Sequence, residues 1–377
     1  MVATPLAHNN KRDLSATAAA WEALAGAPLP TRRQEDWRFT DPAGFSHRPP
    51  RLWSGADPWA DLPLPAGVTR LDPAVASTHC AEVLERTGCV DHWPVRLNQG
   101  ARPALLALHV AGDAGPMLLD LQAADRGEVL ALQLVLVLES AAQLELALRC
   151  QANGSGLTSV LVTAVLADQA QLHLAAVGAG HDDAALLAHV AALQDPGSAL
   201  ALTTVHAGWG FSRLEPRIVQ RTGAASTRLR ALQWVQGNQL ADTHSLVRFE
   251  GPEGTLDQLH KTVADGQGRS VFNGAVQVPR QAQRTDAAQL SRSLLLSDRA
   301  RIDTKPELEI VADDVKCAHG ATVSQLQREE LFYLRSRGIG EAQAARLLLD
   351  GYCQEVLHDL PVAVAQWPPL MQCLQDA

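Results

Sequence analysis

Hydrophobic and polar positions alternate in the middle of the chain, from about residue 100 to about residue 300. Every second residue from Leu132 to Leu138 is leucine. That period of two is the one expected of a strand with one buried face. The pattern therefore predicts a series of short β-strands in this part of the chain.

The same segment also repeats itself. The runs AQLELAL, AQLHLAA, SALALTT, TRLRAL and GTLDQL carry leucines at intervals of 28, 28, 29 and 27, namely Leu144, Leu172, Leu200, Leu229 and Leu256. Glycine-containing turns separate the runs. Short strands at such a period are typical of a solenoid, whose coils bury their apolar faces only against neighbouring coils. A β-sandwich is the alternative, but it would not readily give so even a spacing.

The two ends of the chain show helical patterns instead. Near the N-terminus, Leu14, Ala18 and Trp21 recur at helical spacing, Asp13 is placed to cap the helix, and Gly26 ends it. A polar, turn-rich segment and several prolines follow, up to about residue 75.

The C-terminal part predicts three helices. Ser324 and Gln327 have the spacing of a capping box, and Gly338 ends the first helix. A second is expected over Glu341–Asp350, closed by Gly351. The third carries an apolar stripe, Tyr352, Val356 and Leu360, and is stopped by Pro361.

Together these patterns predict a mainly β chain with three regions. They are an N-terminal helical and loop domain over residues 1–75, a β-helix core over residues 76–312 and a C-terminal helical domain over residues 313–377. Because open strand edges promote aggregation, we expect the helices at both ends to cover the edges of the solenoid.

Composition narrows the class of function. Aromatic residues make up only 4% of the chain, which leaves the core to leucine, valine and alanine. The formal net charge is −9 and no cations are clustered, so nucleic acid is not an expected partner. The first residues lack the apolar stretch of a signal peptide, and the apolar run Val129–Leu138 is too short to span a bilayer. We expect a cytoplasmic protein that does not associate with membranes; bacterial cytosol and plastid both stay open.

The cysteines offer no local metal or cluster site. The chain has six, with no Cys-x-x-Cys pair: Cys80, Cys89, Cys150, Cys317, Cys353 and Cys373. That spacing builds neither a zinc ribbon nor a ferredoxin-type cluster, so we expect free thiols. The chain also lacks a phosphate-binding loop and the His-Glu-x-x-His and Gly-x-Ser-x-Gly motifs. No catalytic residues are predicted.

One group of residues has the composition of a metal site. In DDVKCAHGAT, the acidic residues Asp313 and Asp314 precede Cys317 and His319. If the segment is extended, the offset of two residues puts the thiol and the imidazole on one face, where they could share Fe²⁺ or Zn²⁺. Two ligands do not make a stable site, so a partner chain would have to supply the others. On spacing alone, a turn with a buried thiol is the more common structure.

The segment around this group resembles a known family. RIDTKPELEIVADDVKCAHGATVSQL, followed by LFYLRSRGI, is similar to the signature of the SufB/SufD family of iron–sulfur cluster assembly scaffolds. GRSVFNGAVQV and AQRTDAAQLSRSLLLS extend the resemblance over about residues 266–360. SufB members carry Cys-Glu-His-Glu here, whereas this chain has Ala318 and Gly320 in place of the two glutamates. With PLPTRRQEDWRFTD near the N-terminus, this favours the SufD members.

The resemblance implies a right-handed parallel β-helix flanked by helical domains. It also implies a non-catalytic assembly subunit that supports iron–sulfur cluster biogenesis and iron supply. SufB would pair through the core and the ATPase SufC would dock on the C-terminal helices, whereas a homodimer at rest stays open. Cys317 and His319 match the cysteine and histidine at the SufB interface, where iron or a nascent cluster would be held transiently. No stably bound cofactor is expected on the chain alone.

A different class of function remains as an alternative. β-Helices also carry polysaccharide-acting enzymes, which need grouped carboxylates or basic residues on one face of the coils. The predicted strands have few charges, and the chain has few of the aromatic residues that sugar binding favours.

Overall fold

The computed structural model describes residues 9–125, 127–181 and 183–375, with side chains from residue 15 onward. Its core is a parallel β-solenoid of about 8 turns, flanked by helices. The helices are α1 (Asn9–Ala25), α2 (Ala43–Ser46), α3 (Pro73–Thr87), α4 (Trp93–Gly100), α5 (Arg328–Ser336), α6 (Glu341–Leu357), α7 (Val362–Ala365) and α8 (Pro368–Gln375), with a 3₁₀ turn at Glu35–Trp37.

From β3 onward the strands alternate between two sheets, which form the walls of the solenoid, and β1 and β2 join the sheet that contains β3. They are β1 (Arg51–Leu52), β2 (Val68–Arg70), β3 (Ala104–Val110), β4 (Asp113–Gln122), β5 (Glu128–Leu138), β6 (Gln143–Gln151), β7 (Gly156–Leu166), β8 (Gln171–Ala179), β9 (Ala184–Gln194), β10 (Ala199–Ala207), β11 (Phe211–Gln220), β12 (Ser226–Val235), β13 (Leu240–Phe249), β14 (Thr255–Ala264), β15 (Arg269–Val278), β16 (Asp286–Leu295), β17 (Arg301–Ile310) and β18 (Lys316–Ser324). Odd-numbered strands from β3 to β17 stack in parallel in one sheet, and even-numbered strands from β4 to β18 stack in the other. The predicted mainly β solenoid with helices at both ends is confirmed.

The leucine repeat corresponds to a ladder of inward-facing residues. Leu144, Leu172 and Leu200 are register partners on β6, β8 and β10, as their spacing predicts. The next position is Thr227 rather than Leu229, so the prediction for Leu229 was wrong by two residues. The Thr227 hydroxyl is buried and donates to Gln194 Oε1 (2.6 Å), which lets a polar residue replace leucine in the ladder.

The interior of the solenoid becomes more polar toward its C-terminal end. The early coils are filled by leucine, valine and alanine. In the later coils, Gln289 donates to Gln258 Oε1 (2.9 Å), and Gln258 donates to the Ser245 hydroxyl (2.8 Å). Ser270 donates to Gln233 Oε1 (2.7 Å) in the same way. Because buried amides and hydroxyls are costly when unpaired, these bonds are what allows a polar interior.

The flanking helices lie along the walls of the solenoid rather than over its ends. α3 and α4 pack on strands β5 to β11 of the odd sheet, and α6 and α8 pack on strands β8 to β14 of the even sheet. At the N-terminal end, β2 pairs antiparallel with β3. The expectation that helices cover the edges at both ends was therefore wrong: a strand pairs at the N-terminal end, and the apolar faces of α6 and α8 are buried against the even sheet.

Several predicted helix boundaries also differ from the structure. α1 spans Asn9–Ala25, so Asp13 lies within it, whereas Gly26, which has a positive φ, follows its end as predicted. Ser324 is the last residue of β18, and Gln327 precedes α5 without a side-chain cap, so the capping box was wrong. Gly338 has a positive φ just after α5, as expected.

The second and third predicted C-terminal helices form one helix, α6, which continues through Gly351. A glycine within a helix costs about 1 kcal/mol relative to alanine. Burial of Leu349, Cys353 and Val356 on α6 against the even sheet offsets this cost. Strand β18 lies beyond the boundary predicted at residue 313, and the division into three domains stays a prediction. Among the described residues, no helix combines the length and the hydropathy needed to cross a membrane.

Candidate functional site at the C-terminal end of the solenoid

The last strand of each sheet is exposed. Within the described residues, β17 pairs only with β15, and β18 pairs only with β16. All residues of the central strand β9 are buried, whereas none is buried in β17 or β18. An edge strand leaves backbone N–H and C=O groups available for pairing with another chain. The C-terminal end of the solenoid is thus an open surface.

Both predicted site residues lie on this surface. Cys317 and His319 are on β18, in register with the buried residues Ala287 and Gln289 of β16. They therefore share the inward face of the strand, as the extended reading of the segment requires. Cys317 is half-buried and packs against the main core, and His319 is exposed. A turn with a fully buried thiol is not what the structure shows.

The Cys317 thiol is not activated within this chain. Burial raises its pKa above the ordinary value and the Asp286 charge adds to this, while a hydrogen bond from the Ala287 backbone opposes the shift without reversing it. Because the thiolate is the form that binds metals, Cys317 needs an additional positive charge, from a metal or a partner, to become a ligand at neutral pH.

The acidic residues that precede them do not complete a site. Asp313 and Asp314 lie in the turn before β18, and the backbone N–H of Asp314 donates to Gln283 Oε1 (2.9 Å). Neither joins Cys317 and His319 in a group of three metal-ligating side chains within the described part of the chain. Any metal held here would need ligands from elsewhere.

A second cluster, which the sequence did not reveal, lies under the N-terminal segment. On β11, Leu214 faces the core, while Arg213 and Glu215 face outward and are still buried. Arg213 Nε donates to Glu215 Oε1 (2.6 Å), and its Nη1 contacts Asp242 on β13, which is its register partner. Burial opposes ionisation of Asp242, but the Arg213 charge holds the pKa of that carboxyl below its usual value.

The N-terminal motif QEDWRFTD covers this cluster. The Arg213 guanidinium lies over the Trp37 ring, with its central carbon 4.1 Å from the ring centroid. The Asp36 carbonyl accepts a hydrogen bond from Arg213 Nη1 (2.9 Å). The Thr40 hydroxyl donates to Asp242 Oδ2 (2.5 Å). The motif therefore fixes the N-terminal segment to the solenoid through a buried charged group.

Residues 121–352 match the family model "SUF system FeS cluster assembly, SufBD core domain", which covers more than half of the chain. This chain belongs to the SufBD family. The matched residues begin at β4 and end within α6, so they include β18 with Cys317 and His319.

Individual relatives carry names from the same family. The chain is 45% identical over 188 residues to the iron-sulfur cluster assembly SufBD family protein slr0076 of Synechocystis, covering 50% of this chain and 41% of that protein. It is 40% identical over 169 residues to the chloroplastic protein ABCI7 of Arabidopsis thaliana, covering 45% of this chain and 36% of that protein. It is 40% identical over 142 residues to iron-sulfur cluster assembly protein SufD of Escherichia coli, covering 37% of this chain and 34% of that protein.

The aligned region is therefore less than half of each of these three relatives. The similarity to SufD agrees with the replacement of the SufB-type glutamates by Ala318 and Gly320. Membership of the SufBD family does not support the alternative of a polysaccharide-acting enzyme.

Proposed function

We propose that this chain is a SufD-like, non-catalytic scaffold subunit that supports iron–sulfur cluster biogenesis and iron supply. The observation that carries the proposal is the position of Cys317 and His319 on the exposed last strand of a SufBD-type solenoid. A scaffold needs ligands that a partner can complete, and an edge strand offers them beside a surface for strand pairing. A cytoplasmic location goes with this role.

In this proposal, SufB pairs with the C-terminal end of the solenoid. β17 and β18 present two exposed edges side by side, with Ile310 and Val323 as exposed apolar residues. Iron or a nascent cluster is then the cargo, held transiently between Cys317, His319 and ligands from SufB. The raised pKa of the Cys317 thiol supports a site that forms only when the partner contributes.

The ATPase SufC docks, in this proposal, on the C-terminal helices. Phe332 and Tyr333 on α5 are 73% and 57% exposed, and α5 packs mainly against α6 rather than on the solenoid. Exposed aromatic residues on a helix are suitable anchors for a partner's groove. ATP hydrolysis belongs to SufC, since no phosphate-binding loop is present in this sequence.

Co-expression tests the proposal directly. The chain should co-purify with SufB and SufC, and its mass in solution should show whether two copies associate when SufB is absent. A variant with a charge on the edge, Val323→Lys, should weaken SufB binding, while Val75→Lys on the distant helix α3 is the matched control at an exposed valine. Failure of the chain to bind SufB, or equal binding by the two variants, would contradict the assignment.

A further inference from the structure

The part of the chain that the structure describes contains one group of three histidine, cysteine or carboxylate residues whose ligand atoms all lie within 4.8 Å of one another. It consists of His92, His189 and Glu215. We propose that these three residues bind a divalent transition-metal ion of the Fe²⁺ to Zn²⁺ series, with its remaining coordination positions open to the adjoining cavity. The site is remote in sequence from Cys317 and His319 and goes beyond the proposed scaffold function.

The fold brings the three ligands together from different elements. His189 on β9 and Glu215 on β11 are register partners, so their side chains stand side by side on the outer face of the sheet. His92 comes from the residue before α4, which packs on this sheet. Glu215 Oε2 lies 2.8 Å from His92 Nδ1 and 3.4 Å from His189 Nδ1. Two imidazoles and one carboxylate on one side of an ion are a common arrangement for Fe²⁺ and are also found with Zn²⁺.

Hydrogen bonds within the cluster do not account for the burial of the His189 imidazole. The side chain is 2% exposed; Nδ1 has only the 3.4 Å contact with Glu215 Oε2, and Nε2 has no hydrogen-bond partner within the described structure. Buried polar atoms without a partner are rare in folded proteins and call for a water or an ion. A metal bound by one of the nitrogens would satisfy this group.

The ligands have a route to solvent. A cavity of about 500 Å³ is lined by His92 and Glu215 together with Asp36, Asp91 and Trp37. His92 is partly exposed, with 22% of its side chain accessible, whereas Glu215 is 2% exposed, so solvent reaches the group at His92. An ion can therefore enter without opening the solenoid, and open coordination positions can be filled by water or by a small ligand.

The charges around the site are compatible with a cation. Arg213 is already shared between two carboxylates, Glu215 and Asp242, and it uses Glu215 Oε1, so the ligand atom would be Oε2, which is hydrogen-bonded to His92 Nδ1. Arg217 adds an opposing positive charge near His189.

Direct titration of the full chain with metal alone tests the site. After chelator treatment, the protein should bind one equivalent of Zn²⁺ by calorimetry. Its Tm should increase as the Zn²⁺ concentration is raised. Co²⁺ should give visible bands without the thiolate-to-metal charge-transfer absorption that a cysteine ligand would add. His92→Gln retains a hydrogen-bonding side chain at a partly exposed position and should weaken Zn²⁺ binding by about tenfold or more.

Two controls separate this site from others. His109→Gln removes a partly exposed histidine that also faces a carboxylate, Glu139, at 3.0 Å, and should bind Zn²⁺ like the wild type. The double variant Cys317→Ser with His319→Ala should also keep the site, so a failure here is distinct from a failure of the scaffold function. Absence of stoichiometric binding by the wild type, or unchanged binding by a folded His92→Gln protein, would overturn the proposal and leave a buried water as the explanation.

Discussion

His319 occupies, on the last coil, the inward-facing position that Gln289 occupies one coil earlier. Gln289 is buried and hydrogen-bonded to Gln258, whereas His319 has no coil beyond it within the described chain and is exposed. The imidazole is therefore held in place by the strand while its outer side is available to another molecule. Residues that continue a ladder into solvent are well placed to contact a chain that adds the next coil.

The isolated chain should not retain an iron–sulfur cluster. Its cysteines are dispersed, and burial raises the pKa of Cys89 to about 11 and of Cys150 and Cys353 to about 12. These thiols are unsuitable ligands at neutral pH, and Cys317 alone cannot hold a cluster. Anaerobic reconstitution with iron and sulfide, followed by desalting and absorption spectroscopy, should leave no stoichiometric cluster. A cluster retained by the lone chain would contradict this expectation.

The exposed aromatic residues of α5 should be required for SufC binding. Deleting the chain after Gly338 is a poor test, because the lost helices cover Leu259 and Val263 of the even sheet. The double variant Phe332→Ser with Tyr333→Ser avoids this problem, and exposed positions change the free energy of unfolding by about 0.5 kcal/mol or less. Binding should weaken by about tenfold or more.

Calorimetry or a pull-down with SufC measures this effect. Val362→Ser on α7 is the matched control, since Val362 is apolar and 93% exposed but lies on a helix that packs on β6. Equal SufC affinity for the control and the aromatic variant would place the docking surface elsewhere.

Much of the solenoid could be predicted from the sequence, because each coil repeats the same inward positions. The prediction failed where the ladder accepts a different residue, at Thr227, and where packing overrides a local signal, at Gly351. The cluster of His92, His189 and Glu215 had no local signal. Its members are distant in sequence, and only the register between coils and the packing of α4 bring them together.

Arg213 should contribute strongly to stability. The side chains of Arg213 and of its two carboxylate partners, Glu215 and Asp242, are each at most 2% exposed. Arg213→Met would leave two buried carboxylates without their cation, and breaking such a group costs about 3–5 kcal/mol. Chemical denaturation should show this loss. Arg301→Met is the control, since Arg301 is 58% exposed in its pair with Asp303 and the change should alter stability by about 1 kcal/mol or less. Similar losses in both variants would be inconsistent with this role of the buried cluster.

Stability should fall in mild acid because of His260. Its side chain is buried, stacks on Phe272 with ring centroids 4.3 Å apart, and has no hydrogen bond at either nitrogen in the described structure. Burial lowers its pKa from 6.5 to about 3, against a weaker opposing effect of Asp242. The unfolded chain therefore binds a proton below pH 6.5 that the folded chain refuses, so this stabilising contribution is present above that pH and is lost as the pH falls toward 3.

The expected loss from His260 between neutral pH and pH 5 is about 2 kcal/mol. His260→Leu cannot be protonated and should show a correspondingly smaller decrease in its unfolding free energy over this range. Urea denaturation at the two pH values measures the difference. His173→Leu, at a partly exposed position on β8, should retain the wild-type dependence. If His260→Leu lost as much stability as the wild type, the buried imidazole would not be the cause.

His319→Ala distinguishes the structural and chemical roles of the exposed edge. Because His319 is exposed on an edge strand, its removal should lower the free energy of unfolding by about 0.5 kcal/mol or less. If His319 shares iron or a nascent cluster with SufB, cluster assembly should stop in cells while the complex with SufB and SufC still forms, since alanine offers no electron pair to a metal. Cys317→Ser should give a related, milder defect, because a hydroxyl is a poorer ligand for soft metals.

Complementation of a strain that depends on this pathway measures the defect, with a pull-down to follow the complex. His173→Ala, a histidine that lies 3.6 Å from Glu145 on the wall of the solenoid, is the control and should support growth. A His319→Ala strain that grows normally under iron limitation would remove the support for a metal-sharing edge. Loss of the complex itself would instead show that His319 acts by binding SufB, and a normal complex with failed assembly would locate the chemistry at this one imidazole.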